Sequence, residues 1–255
     1  MRVLLVVTIN VIIKSRRKSL MIGQLTGKIY DHRRSNSLAS RLRIKRLSLF
    51  KSLICSISTP SKLTSLKILD VGGNPNFWQN AGMLDLKDVE AEITILNIKN
   101  INHPQFQCVV GDARDMSQFQ DKEFDVVFSN SVIEHVGDYK DQLQMSNEVK
   151  RVGKRYFLQT PNLYFPIEPH FVFPLFQFLP IKLRVWLITH FNLGWRKKVT
   201  DKQKAKSSVT SIKLLSKKKL QNLFPDADFY EEKFWGLTKS FVIYSGWQSS
   251  PLYSE

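Results

Sequence analysis

Leu69-Asp70-Val71-Gly72-Gly73-Asn74-Pro75-Asn76 closes an apolar run that begins at Leu66. The run ends on an acid and breaks into a turn of small residues. A buried parallel strand that delivers a nucleotide-like ligand to the loop at its carboxyl end has this pattern. Glycine turns after strands are common, so the stretch gains its weight from the segments downstream of it in the chain. Glu92 to Ile98, Phe106 to Val110, Phe124 to Ser129 and Tyr156 to Gln159 read as further strands, and Tyr139 to Val152 reads as a helix. Phe124-Asp125-Val126-Val127-Phe128 is nearly all apolar, as strands covered on both faces are. Strands alternating with helices predict a parallel sheet with helices on both sides.

The end of the chain reads differently. Ser216 to Phe224 is a helix stopped by Pro225, and Phe229 to Trp235 and Ser240 to Tyr244 are strand-like. The link Gly236-Leu237-Thr238-Lys239 is too short for a parallel crossover, so the two strands pair antiparallel. The expected fold class is α/β: a Rossmann-like doubly wound sheet, mostly parallel, with a C-terminal antiparallel hairpin.

The 255 residues fit one large domain or one domain with extensions. The net charge of +16 is uneven. Residues 1–60 read as a basic, helical N-terminal extension: Lys14, Arg16, Arg17, Lys18, Lys28, Arg33, Arg34, Arg41, Arg43, Lys45, Arg46 and Lys51 crowd it. Leu38, Leu42, Leu49 and Leu53 recur near helical spacing, and Thr59-Pro60-Ser61 ends the pattern. A second basic run covers Lys197 to Lys219. Such charge either attracts an anionic partner or only solvates a surface. Val3 to Ile13 is apolar but shorter than the roughly 20 residues that span a bilayer. Most of its charge follows the run, at Lys14 to Lys18, unlike a signal peptide. It reads as a non-cleaved, membrane-touching extension, or as residues ahead of a true start at Met21. Two cysteines, Cys55 and Cys108, make no disulfide framework and no zinc spacing, so no metal is expected and the location is cytoplasmic, peripheral at the membrane if anywhere else.

Residues 61–255 are expected to form the main domain, with an aromatic insertion at about 162–195. That segment holds Tyr164, Phe165, Phe171, Phe173, Phe176, Phe178, Trp186, Phe191 and Trp195 among Pro161, Pro166, Pro169, Pro174 and Pro180. The prolines exclude one long helix through its first half, while a helix is open from Ile181. The aromatic side chains suit an apolar lid, an interfacial patch or ordinary core.

Taken together, Ile68-Leu69-Asp70-Val71-Gly72-Gly73, Gly111-Asp112-Ala113, Phe124-Asp125-Val126-Val127, Ser129-Asn130-Ser131-Val132-Ile133-Glu134-His135 and the closing hairpin resemble a class I S-adenosylmethionine-dependent methyltransferase, of the small-molecule, methyltransferase domain 11-like kind. The terminal hairpin favours this family over a dinucleotide dehydrogenase. The resemblance implies S-adenosyl-L-methionine as cofactor. It implies that Gly72 and Gly73 give the methionine part a close backbone approach, with Asp70 bonding its amino group directly or through water. Asn97 stands where the family has an acid for the ribose hydroxyls, and Asn74 and Asn76 stand at usual glycine positions. Asp112 would accept from the adenine amine while the Ala113 backbone meets the ring. Ser129, Asn130 and Ser131 would lie near the reactive methyl. His135 is the candidate base; the alternative is a histidine bonded to a neighbouring loop. Glu168 and His170 are candidate acceptor contacts, or else a rigid solvated turn.

Three functions remain open on the sequence. The first is methyl transfer to a small, apolar or lipid-linked acceptor, with peripheral contact to an anionic membrane. The second is methylation of RNA, favoured by charge and disfavoured by the lack of an Asn/Asp-Pro-Pro-aromatic signature after the fourth strand. The third is a non-catalytic binding module of the same fold.

Overall fold

The computed structural model describes residues 38–57, 65–80, 90–194 and 196–247. The apolar start, the basic residues before Leu38, Thr59-Pro60-Ser61 and Trp195 lie outside these. In chain order the elements are α1 (Leu38–Ile57), β1 (Leu66–Val71), α2 (Pro75–Asn80), β2 (Ala91–Asn97), β3 (Gln107–Val110) and β4 (Val126–Asn130). After a 3₁₀ turn at Ile133–His135 come α3 (Tyr139–Val152), β5 (Tyr156–Pro161), β6 (Ile167–Glu168) and β7 (Phe173–Pro174). A 3₁₀ turn at Phe176–Phe178 precedes α4 (Ile181–His190), α5 (Lys202–Thr210), α6 (Lys217–Leu223), β8 (Asp228–Phe234) and β9 (Leu237–Ser245). The chain divides into two compact units, the larger formed by Lys45–Phe165 with the chain from Ser211, the smaller by Pro166–Thr210 with the chain up to Ile44.

The larger unit is built on a seven-stranded sheet of order β3-β2-β1-β4-β5-β9-β8. Its first five strands are parallel, and β9 runs antiparallel to both neighbours. Cover on both faces explains why β1, β4 and β5 are buried almost throughout. Leu69, Val127 and Leu158 face a core completed by Met145 and Val149 of α3 and Leu220 and Leu223 of α6. Ile68, Val126, Phe128 and Phe157 face the opposite side, where Phe50 and Ile54 of α1 and Trp78 of α2 cover them. Phe50 sits edge-on to both Phe128 and Phe157 at 5.0 Å between centroids, so the basic N-terminal helix also closes one face of the sheet.

Local signals fix the element ends. Asp138 caps α3 by accepting from the backbone N–H of Lys140 and Asp141, and Asp141 returns the bond to Asp138. β4 starts two residues later than its apolar run, because Phe124 bridges Gly153 outside the regular ladder. The closing hairpin is tighter than the four-residue link suggested. Phe234 pairs with Leu237, and Trp235 (φ 48°) with Gly236 (φ 77°) makes a two-residue turn. Positive φ at both turn positions matches the twist of the flanking strands.

The smaller unit contains the short β6–β7 ribbon and the pair α4 and α5. The prolines leave only two-residue strands in its first half, and the helix opens at Ile181. Leu187 and Ile188 of α4 and Ala205 and Val209 of α5 are buried. Arg184 Nη1 donates to the Val209 carbonyl, and the Val199 N–H donates to the Ile188 carbonyl. The Arg196 guanidinium lies 4.8 Å over the Phe171 ring.

Candidate active site

The strand order reverses between β1 and β4: β1, β2 and β3 step one way, β4 and β5 the other. At such a switch point the loops leaving neighbouring strands separate and leave a crevice at their carboxyl ends. A cleft of about 560 Å³ opens there, lined by the loops after β1 (Gly72, Gly73, Asn74), β2 (Asn97, Ile98, Lys99), β3 (Gly111, Asp112, Ala113) and β4 (Ser131, Val132, His135). Its size lies within the range of small-molecule sites.

The first loop needs its glycines. Gly72 has φ +75°, and a Cβ there would sit 2.6 Å from Val132 Cγ2. A Cβ on Gly73 would sit 1.7 Å from Asp70 Oδ2. Asp70 itself is not among the cleft-lining residues: it is buried under the loop and accepts a 2.7 Å bond from the Trp78 indole N–H. Burial pushes its carboxyl up to about 7 and the indole bond pulls it partly back. The folded protein therefore holds a proton on Asp70 that the unfolded chain has lost above pH 3.8. Stability is expected to fall by about 4 kcal/mol as pH rises from about 4 to about 7, and to level off above that. Asp70→Asn keeps an acceptor for Trp78 and removes the titration. Urea unfolding of the two proteins across that range checks this, with a flattened slope expected for the variant.

Asn97 is bonded at both ends of its amide. Its Nδ2 donates to the Gly73 carbonyl at 2.9 Å and its Oδ1 accepts from the Lys99 N–H at 3.0 Å. A carboxylate here would have no hydrogen to give to Gly73. The asparagine thus ties the β2 end to the first loop while lining the cleft.

Asp112 lines the cleft beside Ala113 and holds Arg114 with both oxygens, Nη2 to Oδ2 at 2.6 Å and Nε to Oδ1 at 3.0 Å. Arg114 Nη1 reaches on to Asp141 at 3.0 Å. The Arg114 hydrogen bonds hold the Asp112 carboxyl below the usual carboxylate range, so it is ionised at neutral pH.

Beyond β4 the two polar residues at the strand end bond within the protein. Ser129 is buried and its hydroxyl donates to the Val71 carbonyl at 3.1 Å. Asn130 Oδ1 accepts from Arg46 Nη1 of α1. Neither is among the cleft-lining residues; Ser131 is, at φ 57°, held by its hydroxyl on Gln159 Oε1 (2.7 Å) and its N–H on the Gln159 carbonyl (2.9 Å). His135 lines the cleft from the 3₁₀ turn, where its N–H bonds the Val132 carbonyl at 2.7 Å. The neighbouring Glu134 is buried and accepts from the Thr160 hydroxyl at 2.9 Å. In the smaller unit, Glu168 and His170 bond each other, Oε1 to Nδ1 at 2.7 Å, and the other Glu168 oxygen accepts the Phe171 N–H at 2.7 Å.

The structure therefore brings Gly72, Gly73, Asn97, Asp112, Ala113 and His135 to one cleft. Sequence reasoning picked out the Ser129-Asn130-Ser131 stretch but missed Trp78 and Arg114. Arg114 follows Asp112 by two residues and was findable; Trp78 and the Ser131–Gln159 link are tertiary.

A family model described as a methyltransferase domain matches residues 80–156, which hold β2 to the start of β5. That match covers less than a third of the chain. Two uncharacterized proteins of Mycobacterium tuberculosis are 37% identical to it over 65 residues, 26% of this chain. That match spans only 22% of those relatives' length. Among solved structures, a SAM-dependent methyltransferase from Methanosarcina mazei is 16% identical with TM-score 0.44, covering 72% of this chain and 93% of its own. A magnesium protoporphyrin IX methyltransferase from Synechocystis PCC 6803, solved with bound SAH, is 10% identical with TM-score 0.46, covering 80% of this chain and 83% of its own. The closing antiparallel hairpin, Asp228–Phe234 with Leu237–Ser245, lies beyond the matched residues. No helix among the described residues is long and apolar enough to cross a membrane.

Proposed function

We propose that the domain binds S-adenosyl-L-methionine in the cleft and transfers its methyl group to a small, apolar or lipid-linked acceptor. The observation that carries the reading is the convergence of four strand ends on one crevice whose first loop has no room for a Cβ at Gly72 or Gly73. The residues present fit the cofactor: a glycine pair with no side chain between the first loop's backbone and a ligand, an ionised carboxylate at Asp112 and an apolar rim of Ile98, Ala113 and Val132. When bound, the sulfonium supplies a methyl group already activated for transfer.

The chain's own residues then have these roles. Gly72 and Gly73 let the backbone approach the methionine part, and Asn97 holds that loop in place. Asp112, oriented by Arg114, accepts from the adenine amine. Asp70 supports the loop from beneath through Trp78 rather than facing the ligand. Ser129 and Asn130 act as struts that set the β4 end from which Ser131 lines the cleft. His135 takes the proton of an acceptor hydroxyl or amine. Glu168 orients the His170 ring, and the pair is assigned to a polar group of the acceptor. The segment 162–195 is assigned to acceptor recognition.

Asp112→Ala tests the cofactor part. It is expected to weaken S-adenosylhomocysteine binding about tenfold or more in calorimetry, by loss of a hydrogen bond to a charged group. Unchanged affinity with an unchanged circular dichroism spectrum contradicts the assignment. The acceptor is read by following a labelled methyl group into solvent-extractable material or into RNA. Recovery in RNA, with binding that weakens steeply with salt, overturns the small-molecule reading. A non-catalytic module is the second reading, and Asn97 favours it, since both ends of its amide are bonded within the protein. Cofactor binding without any labelled product supports that alternative.

A further inference from the structure

We infer that the smaller unit docks on an anionic lipid bilayer through α4 and the lysines around it. Lys182, Trp186 and His190 fall on successive turns of α4 and form one stripe. All three are exposed. Trp186 stacks on His190 with centroids 5.1 Å apart, and Phe191 meets Trp186 edge-on at 5.4 Å. The three rings make an ordered cluster at the surface, with Trp186 43% and Phe191 37% exposed, and Ile181 at the start of the helix 45% exposed. Trp186 is the centre of this cluster. It is suited to the interface of a bilayer, where the ring body meets hydrocarbon and the indole N–H meets headgroups.

The exposed charge of the segment that carries the cluster is mostly basic. Pro166–Thr210 carries eight lysines and arginines against two acids. Six of them, Lys182, Lys197, Lys198, Lys202, Lys204 and Lys206, are exposed. Of the acids, Glu168 is buried on His170 and Phe171, and Asp201 caps α5 by accepting from the N–H of Gln203 and Lys204. Long lysine side chains reach headgroup phosphates while their stems lie along the apolar surface. The apolar residues decide between a bilayer and a nucleic acid. Ile181 and Phe191 gain from hydrocarbon and gain nothing from a phosphodiester backbone. The inference does not rest on methyl transfer, and titration with S-adenosylhomocysteine reads the cleft separately.

The test is co-sedimentation of the full chain with vesicles of phosphatidylcholine alone and of phosphatidylcholine mixed with phosphatidylserine. Binding is expected only to the anionic vesicles, and it is expected to fall as salt rises. Trp186→Ala with Phe191→Ala is expected to weaken it about tenfold. Lys202→Gln with Lys206→Gln is expected to weaken it on anionic vesicles several-fold. An unchanged circular dichroism spectrum and urea midpoint in each variant show that the protein is folded. As a second readout, brominated lipid is expected to quench tryptophan fluorescence of the wild type and to quench Trp186→Phe less. Equal binding to both vesicle types overturns the inference. So does anionic binding untouched by the aromatic substitutions, which would place the contact on other basic residues. Binding of RNA in preference to vesicles overturns it as well.

Discussion

Glu232→Ala is expected to destabilise the larger unit by about 3–5 kcal/mol, read as a lower urea midpoint. Glu232 of β8 is fully buried and receives Arg46 of α1 through two parallel bonds, Nε to Oε1 at 2.9 Å and Nη2 to Oε2 at 2.8 Å. The Ser240 hydroxyl donates to the same carboxylate, and Arg46 Nη1 continues to Asn130. Removing the carboxylate leaves a guanidinium held away from water without its counter-charge, and that penalty exceeds the worth of an exposed pair. Arg46→Met combined with Glu232→Leu removes both charges and is expected to recover most of the loss. A single-variant effect below about 1 kcal/mol, as surface pairs give, contradicts the account. The pair also links stability to the site, because it fixes Asn130 one residue before Ser131, where the cleft wall begins.

Gly73→Ala is expected to weaken cofactor binding about a hundredfold and to lower stability by roughly 1–3 kcal/mol. The added Cβ falls on the Asp70 carboxyl, with Oδ2 at 1.7 Å and Cγ at 2.1 Å. Asp70 is held by the Trp78 indole and enclosed by core, so it has no room to swing away. The loop must move instead, and the Asn97 bond to the Gly73 carbonyl moves with it. Asp70→Ala in the same chain removes the obstacle, so the double variant is expected to bind better than Gly73→Ala alone. That non-additivity is the signature of direct contact. Wild-type affinity in the single variant means that the first loop does not touch the ligand.

Much of this architecture is legible in the sequence because it is periodic and local. Val126-Val127-Phe128 alternate between two cores, and a strand buried on both faces has no polar residue to mislead the reading. Asp138 and Asp141 announce α3 by spacing alone. The part of α1 that packs was harder to see. Leucine spacing picked out Leu42, Leu49 and Leu53, but the fully buried anchor is Phe50, hidden among basic residues. The helix is the roof of one sheet face as well as a basic segment. At the site, glycines and Asp112 could be placed because they follow strand ends. What the other polar groups do depends on residues far away in the chain. Asn130 is separated from Arg46 by 84 positions and Ser129 from Val71 by 58. No spacing rule distinguishes a polar residue that faces a ligand from one that braces a strand.

The central claim is that the four converging strand ends form a site for S-adenosylmethionine. Calorimetric titration of the wild-type chain with S-adenosylhomocysteine, and separately with NAD, tests it most directly. The account predicts one site for S-adenosylhomocysteine and no heat with NAD. Saturable binding of NAD with none of S-adenosylhomocysteine would contradict it.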